Sequence, residues 1–256
     1  MGDYLGRIDR SEEIIQSLEQ IDSYLKTYNV DVMIVAGDLF NYRNRPAQIQ
    51  SSIGEIKRIF LPFLQSGGTI IAVSGNHDHA AIGEINLNAF NPVAAAALRW
   101  TRNTLLPESS HYLDALPAIK EIKGITLAHG SPRHPVWEYI TDAVLAEQNF
   151  DHFTGTLCLV GHTHFARVFH HDGNQCNELI APTGQQFGLN AGRYILNPGG
   201  LGQPRDHNPW AAYALLDLAA ASWEQRRVPY NIAETQRRMQ AHGLSEALIN
   251  RLGFGV

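Results

Sequence analysis

Cysteine is nearly absent: Cys158 and Cys176 are the only two in 256 residues, too few for a disulfide scaffold. Cys158 sits in an apolar run and reads as a core residue. No apolar stretch approaches the roughly 18 residues needed to span a bilayer, and no secretory leader pattern opens the chain. A cytoplasmic, reducing location is therefore the expectation, with no membrane partner. Positive charge is also scarce. The formal net charge is −5, which counts against bulk attraction to nucleic acid or anionic lipid. There is no low-complexity segment and no internal repeat. What remains is ordinary for a globular protein: 44% hydrophobic and 18% charged residues, enough to bury one full core. The unusual count is histidine, with 12.

Hydrophobic patterning divides the chain into alternating elements. Residues 11–28 read as an amphipathic helix capped by Ser11, and 46–65 as a second, ended by Gly67-Gly68. Strands are expected at 30–36 and 69–74, giving a βαβ unit with a parallel pair. Asn91 and Pro92 begin a helix over 92–104, and Pro107 a shorter one. Together they form a helical cap inserted at about 88–116. From 118 the pattern turns to β, with strands at 118–122, 125–129, 157–161, 165–171, 176–180, 193–197, 211–218 and 221–228. Helices at 231–240 and 245–252 follow. Sheet-rich halves with helices outside predict an α/β fold of two packed mixed sheets flanked by helices, as a single domain over 1–256.

The polar residues of interest stand directly after the apolar runs. Val32–Ala36 leads into Gly37-Asp38. Thr69–Val73 leads into Gly75-Asn76-His77-Asp78. Ile125–Ala128 leads into His129. Leu157–Val160 leads into Gly161-His162-Thr163-His164. Polar groups at the carboxyl ends of buried strands are where open α/β sheets place their sites. Asp38, Asn76, His129, His162 and His164 would be costly to bury at four strand ends without a metal to pair them. The other histidines, His111, His134, His152, His170, His171, His207 and His242, read as surface or loop residues. Glu138 and Asp114 read as solvated faces or local caps.

Taken in order, GDLF (37–40), GNHD (75–78), AHG (128–130) and GHTH (161–164) resemble the signature of the calcineurin-like metallophosphoesterases, nearest the compact bacterial phosphodiesterases. The resemblance covers most of the chain and implies a four-layer αββα sandwich. It further implies a dinuclear centre that hydrolyses phosphodiesters or phosphomonoesters of small molecules or nucleotides. Two divalent ions about 3.5–4 Å apart polarise the phosphoryl oxygens and acidify water. Manganese is the expected metal, with iron, zinc, nickel or magnesium as alternatives. By the resemblance, Asp38, Asn76, His129 and His162 hold one ion, and Asp38 bridges to a second that also takes His164. His77 faces the leaving oxygen as an acid, with Asp78 orienting it. Arg133 and Arg205 are candidates to hold phosphate bidentately, weighed against an equal expectation of structural ion pairs.

The family's opening strand with its Asp-x-His motif has no counterpart here, and Met1-Gly2-Asp3 resembles the loop that follows it. The expectation is a start site placed downstream of a missing strand. Residues up to about Asp78 look closer to the DNA-repair exonuclease branch, and later ones to the small phosphodiesterases. Two alternatives follow: a truncated, inactive or single-metal relative that binds a ligand, and a DNA nuclease, which the acidic balance disfavours. The exposed face of the 92–104 helix and the Trp210 region are candidates for a homo-oligomer contact.

Overall fold

The structure is a computed structural model that describes residues 19–38, 60–241 and 246–256, apart from 21, 24 and 28. Leu39 and Phe40, most of the expected helices over 11–28 and 46–65, and His242 lie outside the described residues.

Eleven strands are described. β1 (Val32–Ala36) and β2 (Thr69–Val73) pair in parallel. Six more form a mixed sheet: β3 (Ile119–Ile122), β4 (Ile125–Ala128), β5 (Leu157–Leu159), β6 (Ala166–His171), β7 (Cys176–Leu179) and β9 (Arg193–Pro198). Its order is β3-β4-β5-β9-β6-β7, with β4, β5 and β9 parallel. β8 (Gln186–Gly188), β10 (Ala211–Asp217) and β11 (Ser222–Val228) make an antiparallel sheet in the order β10-β11-β8.

Strand alternation explains the layering. Met33 and Val35 of β1 point to a core shared with Leu25, Phe60 and Phe63 from helical residues, and with Ala211 and Val228 of β10 and β11. Ile34 and Ala36 point the other way, into a core with Leu127, Leu159, Val168 and Leu196 of the six-stranded sheet and Trp223 of β11. Both small sheets therefore feed the same two cores and act as one layer. The far face of the large sheet carries Cys158, Val160, Phe169 and Ile195, covered by Phe150, Phe153 and Ala146. The result is the expected αββα order. One difference is that, among the described residues, the first layer is two hydrogen-bonded sheets rather than one. Each fully buried Leu contributes roughly 2 kcal/mol, so the cores rest on many such side chains.

Three helices lie between β2 and β3: α1 (Asn76–Ile82), α2 (Pro92–Thr104) and α3 (Pro107–Asp114). α2 begins as read, with Asn91 Oδ1 accepting from Ala94 N at 2.9 Å and Pro92 at its first turn. α4 (Ala143–Glu147), capped by Asp142, follows β4. α5 (Ile232–Ala241) and α6 (Glu246–Phe254) pack together through Met239, Ile249 and Leu252.

The topology gathers the site. β1, β2, β4 and β5 each end at one of the motifs, and β1–β2 and β4–β5 are both parallel pairs. Their carboxyl ends meet across the inter-sheet core. Gly161 N donates to His129 O at 2.8 Å, tying the β4 and β5 ends together.

Candidate metal centre

Asp38, Asn76, His77, His129, His162 and His164 are all buried, at 1 to 7% exposure. One oxygen of Asp38, one nitrogen of His129 and one of His162 lie within 4.8 Å of one another, the group of acidic, His and Cys side chains among the described residues able to hold an ion. His129 Nε2 is the hub. It stands 2.9 Å from His162 Nδ1, 3.2 Å from Asn76 Oδ1 and 3.3 Å from Asp38 Oδ2.

Backbone carbonyls orient the rings. His129 Nδ1 lies 2.7 Å from Ala36 O, His162 Nε2 lies 3.2 Å from Trp137 O, and His164 Nδ1 lies 2.7 Å from Gln203 O. A carbonyl can only accept, so each of these nitrogens carries the proton. The acceptor nitrogens are then Nε2 of His129, Nδ1 of His162 and Nε2 of His164. At the hub, two imidazole lone pairs, a carboxamide oxygen and a carboxylate oxygen face one another. Such a donor set repels itself unless a cation sits among it, so the residues fit a divalent metal.

Electrostatics point the same way. Burial, then the neighbouring His129, pushes His162 down to about 2. Burial, then the Arg205 guanidinium, pushes His164 well below its ordinary value. Both rings are neutral, the state in which imidazole ligates. Burial pushes the Asp38 carboxyl up, but the His129 and His77 rings beside it hold it well below the usual carboxylate range. Asp38 Oδ1 accepts from His77 N at 3.0 Å at the start of α1, which leaves Oδ2 as the oxygen toward the hub.

Some of the strained backbone lies here. Asp38, His162 and His164 adopt φ of 52°, 59° and 62°, a left-handed conformation that costs non-glycine residues on the order of 1 kcal/mol each. Two glycines make room. Gly37 has φ +81°, and a Cβ there would meet His129 Nδ1 at 2.6 Å. A Cβ at Gly75 would meet Asp38 Oδ1 at 2.1 Å and Asp38 N at 2.6 Å. Gly75→Ala is therefore expected to displace Asp38 and weaken metal binding by about tenfold or more, as second-layer changes do. Isothermal titration with Mn²⁺ checks this.

The other expected site residues are placed as follows. His164 stands outside the three-residue group yet within electrostatic reach of Asp38 and His129. His77 packs edge-on to Phe90, ring centroids 5.1 Å apart. Asp78 Oδ2 accepts from Gly75 N at 2.9 Å, capping α1 and fixing the turn that presents His77. Arg133 is committed to an ion pair: its Nη2 meets Glu138 Oε1 and its Nη1 donates to Gln148 Oε1 at 2.9 Å. The structural expectation for Arg133 thus has geometric support. Arg205 lies beside His164, its N donating to His164 O at 3.3 Å and its Nη2 to Gln203 Oε1 at 3.2 Å. Its Nε is buried without a hydrogen-bond partner among the described residues.

Two further residues position the site. Glu138 is no solvated face. It accepts from Ser131 Oγ at 2.7 Å, Asn149 Nδ2 at 2.8 Å and Arg133, and so fixes the 131–140 loop that supplies the Trp137 carbonyl. Asn197 Nδ2 donates to Gly161 O at 2.6 Å and to Thr163 Oγ1 at 3.0 Å, pinning the 161–164 loop. Burial pushes the Glu138 carboxyl up, but hydrogen bonds from Arg133, Ser131 and Asn149 bring it down to about 2 from 4.5. A lowered folded-state value gives stability that is present above pH 4.5 and lost as pH falls toward 2. Glu138→Gln is expected to cost on the order of 1 kcal/mol at neutral pH and to flatten that acid-side loss. Melting temperature followed from pH 6 to pH 2 measures both.

Ser74, His79 and Glu84 form a further relay. Ser74 Oγ lies 2.9 Å from His79 Nε2, and His79 Nδ1 meets Glu84. The order resembles a nucleophile triad. Ser74 is 1% exposed, however, and its Oγ also reaches Leu116 O. No ester reaches it, and the relay instead clamps α1 to the segment before β3.

The chain is similar to known proteins. Residues 13–221 match the model of the calcineurin-like phosphoesterase superfamily domain. An uncharacterized protein of Methanocaldococcus jannaschii is 30% identical over 247 residues, covering 94% of this chain and 93% of that one. The crystal structure of a metallophosphoesterase from Sphaerobacter thermophilus matches with a TM-score of 0.74 and 37% identity over 94% of each chain. A hypothetical protein from Pyrococcus horikoshii OT3 shares the fold, with a TM-score of 0.68 at 18% identity over 95% of this chain and 93% of that one.

Proposed function

The chain belongs to the calcineurin-like phosphoesterase superfamily and is a hydrolase of phosphoester bonds, and from that premise we propose that it cleaves phosphodiesters or phosphomonoesters of small molecules or nucleotides at a dinuclear metal centre. The observation that carries this reading is the convergence of Asp38 Oδ2, Asn76 Oδ1, His129 Nε2 and His162 Nδ1 on one buried point. These four hold the first ion, and Asp38 with His164 contributes to the second. Mixed carboxylate and imidazole ligation suits Mn²⁺, Fe, Zn or Ni better than Mg²⁺. Divalent ions there supply charge neutralisation of the phosphoryl oxygens and acidify the attacking water.

The chain's own residues do the rest. Ala36, Trp137 and Gln203 carbonyls hold the three imidazoles neutral and oriented. Arg205, whose backbone N–H donates to His164 O, is the candidate to hold a phosphoryl oxygen through its guanidinium. His77, at the mouth of α1 and beside Asp38, delivers a proton to the departing oxygen. Arg133 acts through Glu138 on the loop and is not assigned to substrate.

A one-ion centre is the second reading, favoured by the position of His164 outside the Asp38–His129–His162 group. Metal analysis separates the two. A DNA nuclease is disfavoured by the net charge of −5. No described helix is long and apolar enough to cross a membrane. The test is hydrolysis of bis-p-nitrophenyl phosphate by metal-stripped protein before and after Mn²⁺ is restored. Turnover that returns only with metal supports the proposal. Turnover that ignores chelation contradicts it.

A further inference from the structure

An arc of aromatic side chains borders the metal centre on the His77 side. The Phe90 ring meets His77 edge-on at 5.1 Å. Trp137 lies against Phe90, centroids 5.2 Å apart and tilted by 48°. Tyr139 stacks on His162, centroids 3.7 Å apart and 23° from parallel. The Trp137 carbonyl holds His162, so backbone and ring of the same loop serve the centre together.

These rings are not spent on the core. Trp137 is 39% and Tyr139 45% exposed, although both sit beside residues no more than 7% exposed. Phe90 is the exception that anchors the arc, packed on the small core of the cap with Ala80, Leu87 and Leu98. The loop that carries Trp137 and Tyr139 is fixed through Glu138, which lies between them in sequence and accepts from Ser131, Arg133 and Asn149. A rigidly held loop thus presents two exposed aromatic rings beside the centre, Trp137 against the Phe90 ring that meets the candidate acid and Tyr139 on His162.

We propose that Trp137, Tyr139 and Phe90 form a stacking subsite for a planar aromatic group of the phosphoester, either a nucleobase or an aryl leaving group. This rests on the phosphoesterase reading and adds the substrate class to it. Exposed aromatic faces bind planar rings with little regard to their hydrogen-bonding edges. The subsite therefore selects for an aromatic ring attached to the phosphate without specifying which base. An aliphatic ester bound at the same centre gains nothing from the arc.

The test is equilibrium binding to the metal-loaded protein, which does not depend on turnover. Adenosine 5′-monophosphate and ribose 5-phosphate carry the same phosphate with and without a base, and phenyl phosphate supplies the aryl arm. Titration calorimetry should show adenosine 5′-monophosphate binding at least about tenfold tighter than ribose 5-phosphate. Trp137→Ala should remove most of that difference while leaving ribose 5-phosphate unchanged. Trp210→Ala, at another exposed tryptophan, should change neither. Preference for phenyl phosphate over ribose 5-phosphate, without further gain from adenosine, assigns the subsite to aryl groups. Equal binding of all three ligands overturns the proposal, as does a Trp137→Ala loss shared equally by ribose 5-phosphate. Absence of metal-dependent hydrolysis with the base preference intact would sink the enzymatic reading alone.

Discussion

Asp38→Asn is expected to lower metal-dependent phosphodiester hydrolysis by at least about 10³-fold while leaving the metal-free protein as stable as the parent or more so. Asn matches Asp in size and still accepts the His77 N–H through its amide oxygen. It also tolerates the left-handed backbone at φ 52° better than other residues do. What it removes is the one negative charge among the hub donors. Three neutral groups, Asn76, His129 and His162, then face a cation without a counter-charge. Without a cation, the same change relieves the burial of a carboxylate that is 1% exposed. Steady-state kinetics with bis-p-nitrophenyl phosphate and a melting curve in chelator check both halves. A variant retaining a tenth of the activity would show that Asp38 is no metal ligand.

His77→Ala is expected to separate binding from chemistry. The His77 side chain is not among the hub donors, and the contact that fixes Asp38 is its backbone N–H, which alanine keeps. Metal content should therefore match the parent. Loss of a general acid costs about 10²–10⁴-fold, and the cost depends on the leaving group. A p-nitrophenolate leaves with little protonation, so its ester should suffer least. An alkyl phosphodiester, whose alkoxide must be protonated, should suffer most. Comparing kcat for the two ester types in parent and variant measures this. An equal loss for both would assign His77 to positioning, and a loss of bound metal would place it in the centre itself.

How much of this was legible in the sequence differs by kind of element. Strands ending in Gly were readable because four or five apolar residues bounded by a breaker have few alternatives in an α/β chain. β2 and β4 therefore fall within one residue of expectation, and β1 within two. α1 was not readable. Its first four residues, Asn76-His77-Asp78-His79, are polar because they serve the site and the Ser74 relay, so no apolar period shows. Only Gly83, left-handed at φ 97°, marks its end. β8 was missed because Gln186-Phe187-Gly188 has no pattern of its own and is a strand only through pairing with β11.

The site shows the same division. Side-chain donors carry letters, and Asp38, Asn76, His129 and His162 meet as their motif order implied. Backbone donors carry none. The Ala36, Trp137 and Gln203 carbonyls that choose each imidazole's ligating nitrogen become visible only when the chain is folded. Glu138 read as a solvated face or a local cap. Its partners Ser131, Arg133 and Asn149 come together only through the loop's turn. Arg133 was read as phosphate-binding or structural, and the same network engages its guanidinium with Glu138 and Gln148.

Anomalous diffraction at the manganese edge, from crystals of the protein loaded with Mn²⁺, tests the central claim most directly. The expected result is a peak bound by Asp38 Oδ2, Asn76 Oδ1, His129 Nε2 and His162 Nδ1. Manganese bound elsewhere, with no peak among these four atoms, would contradict it.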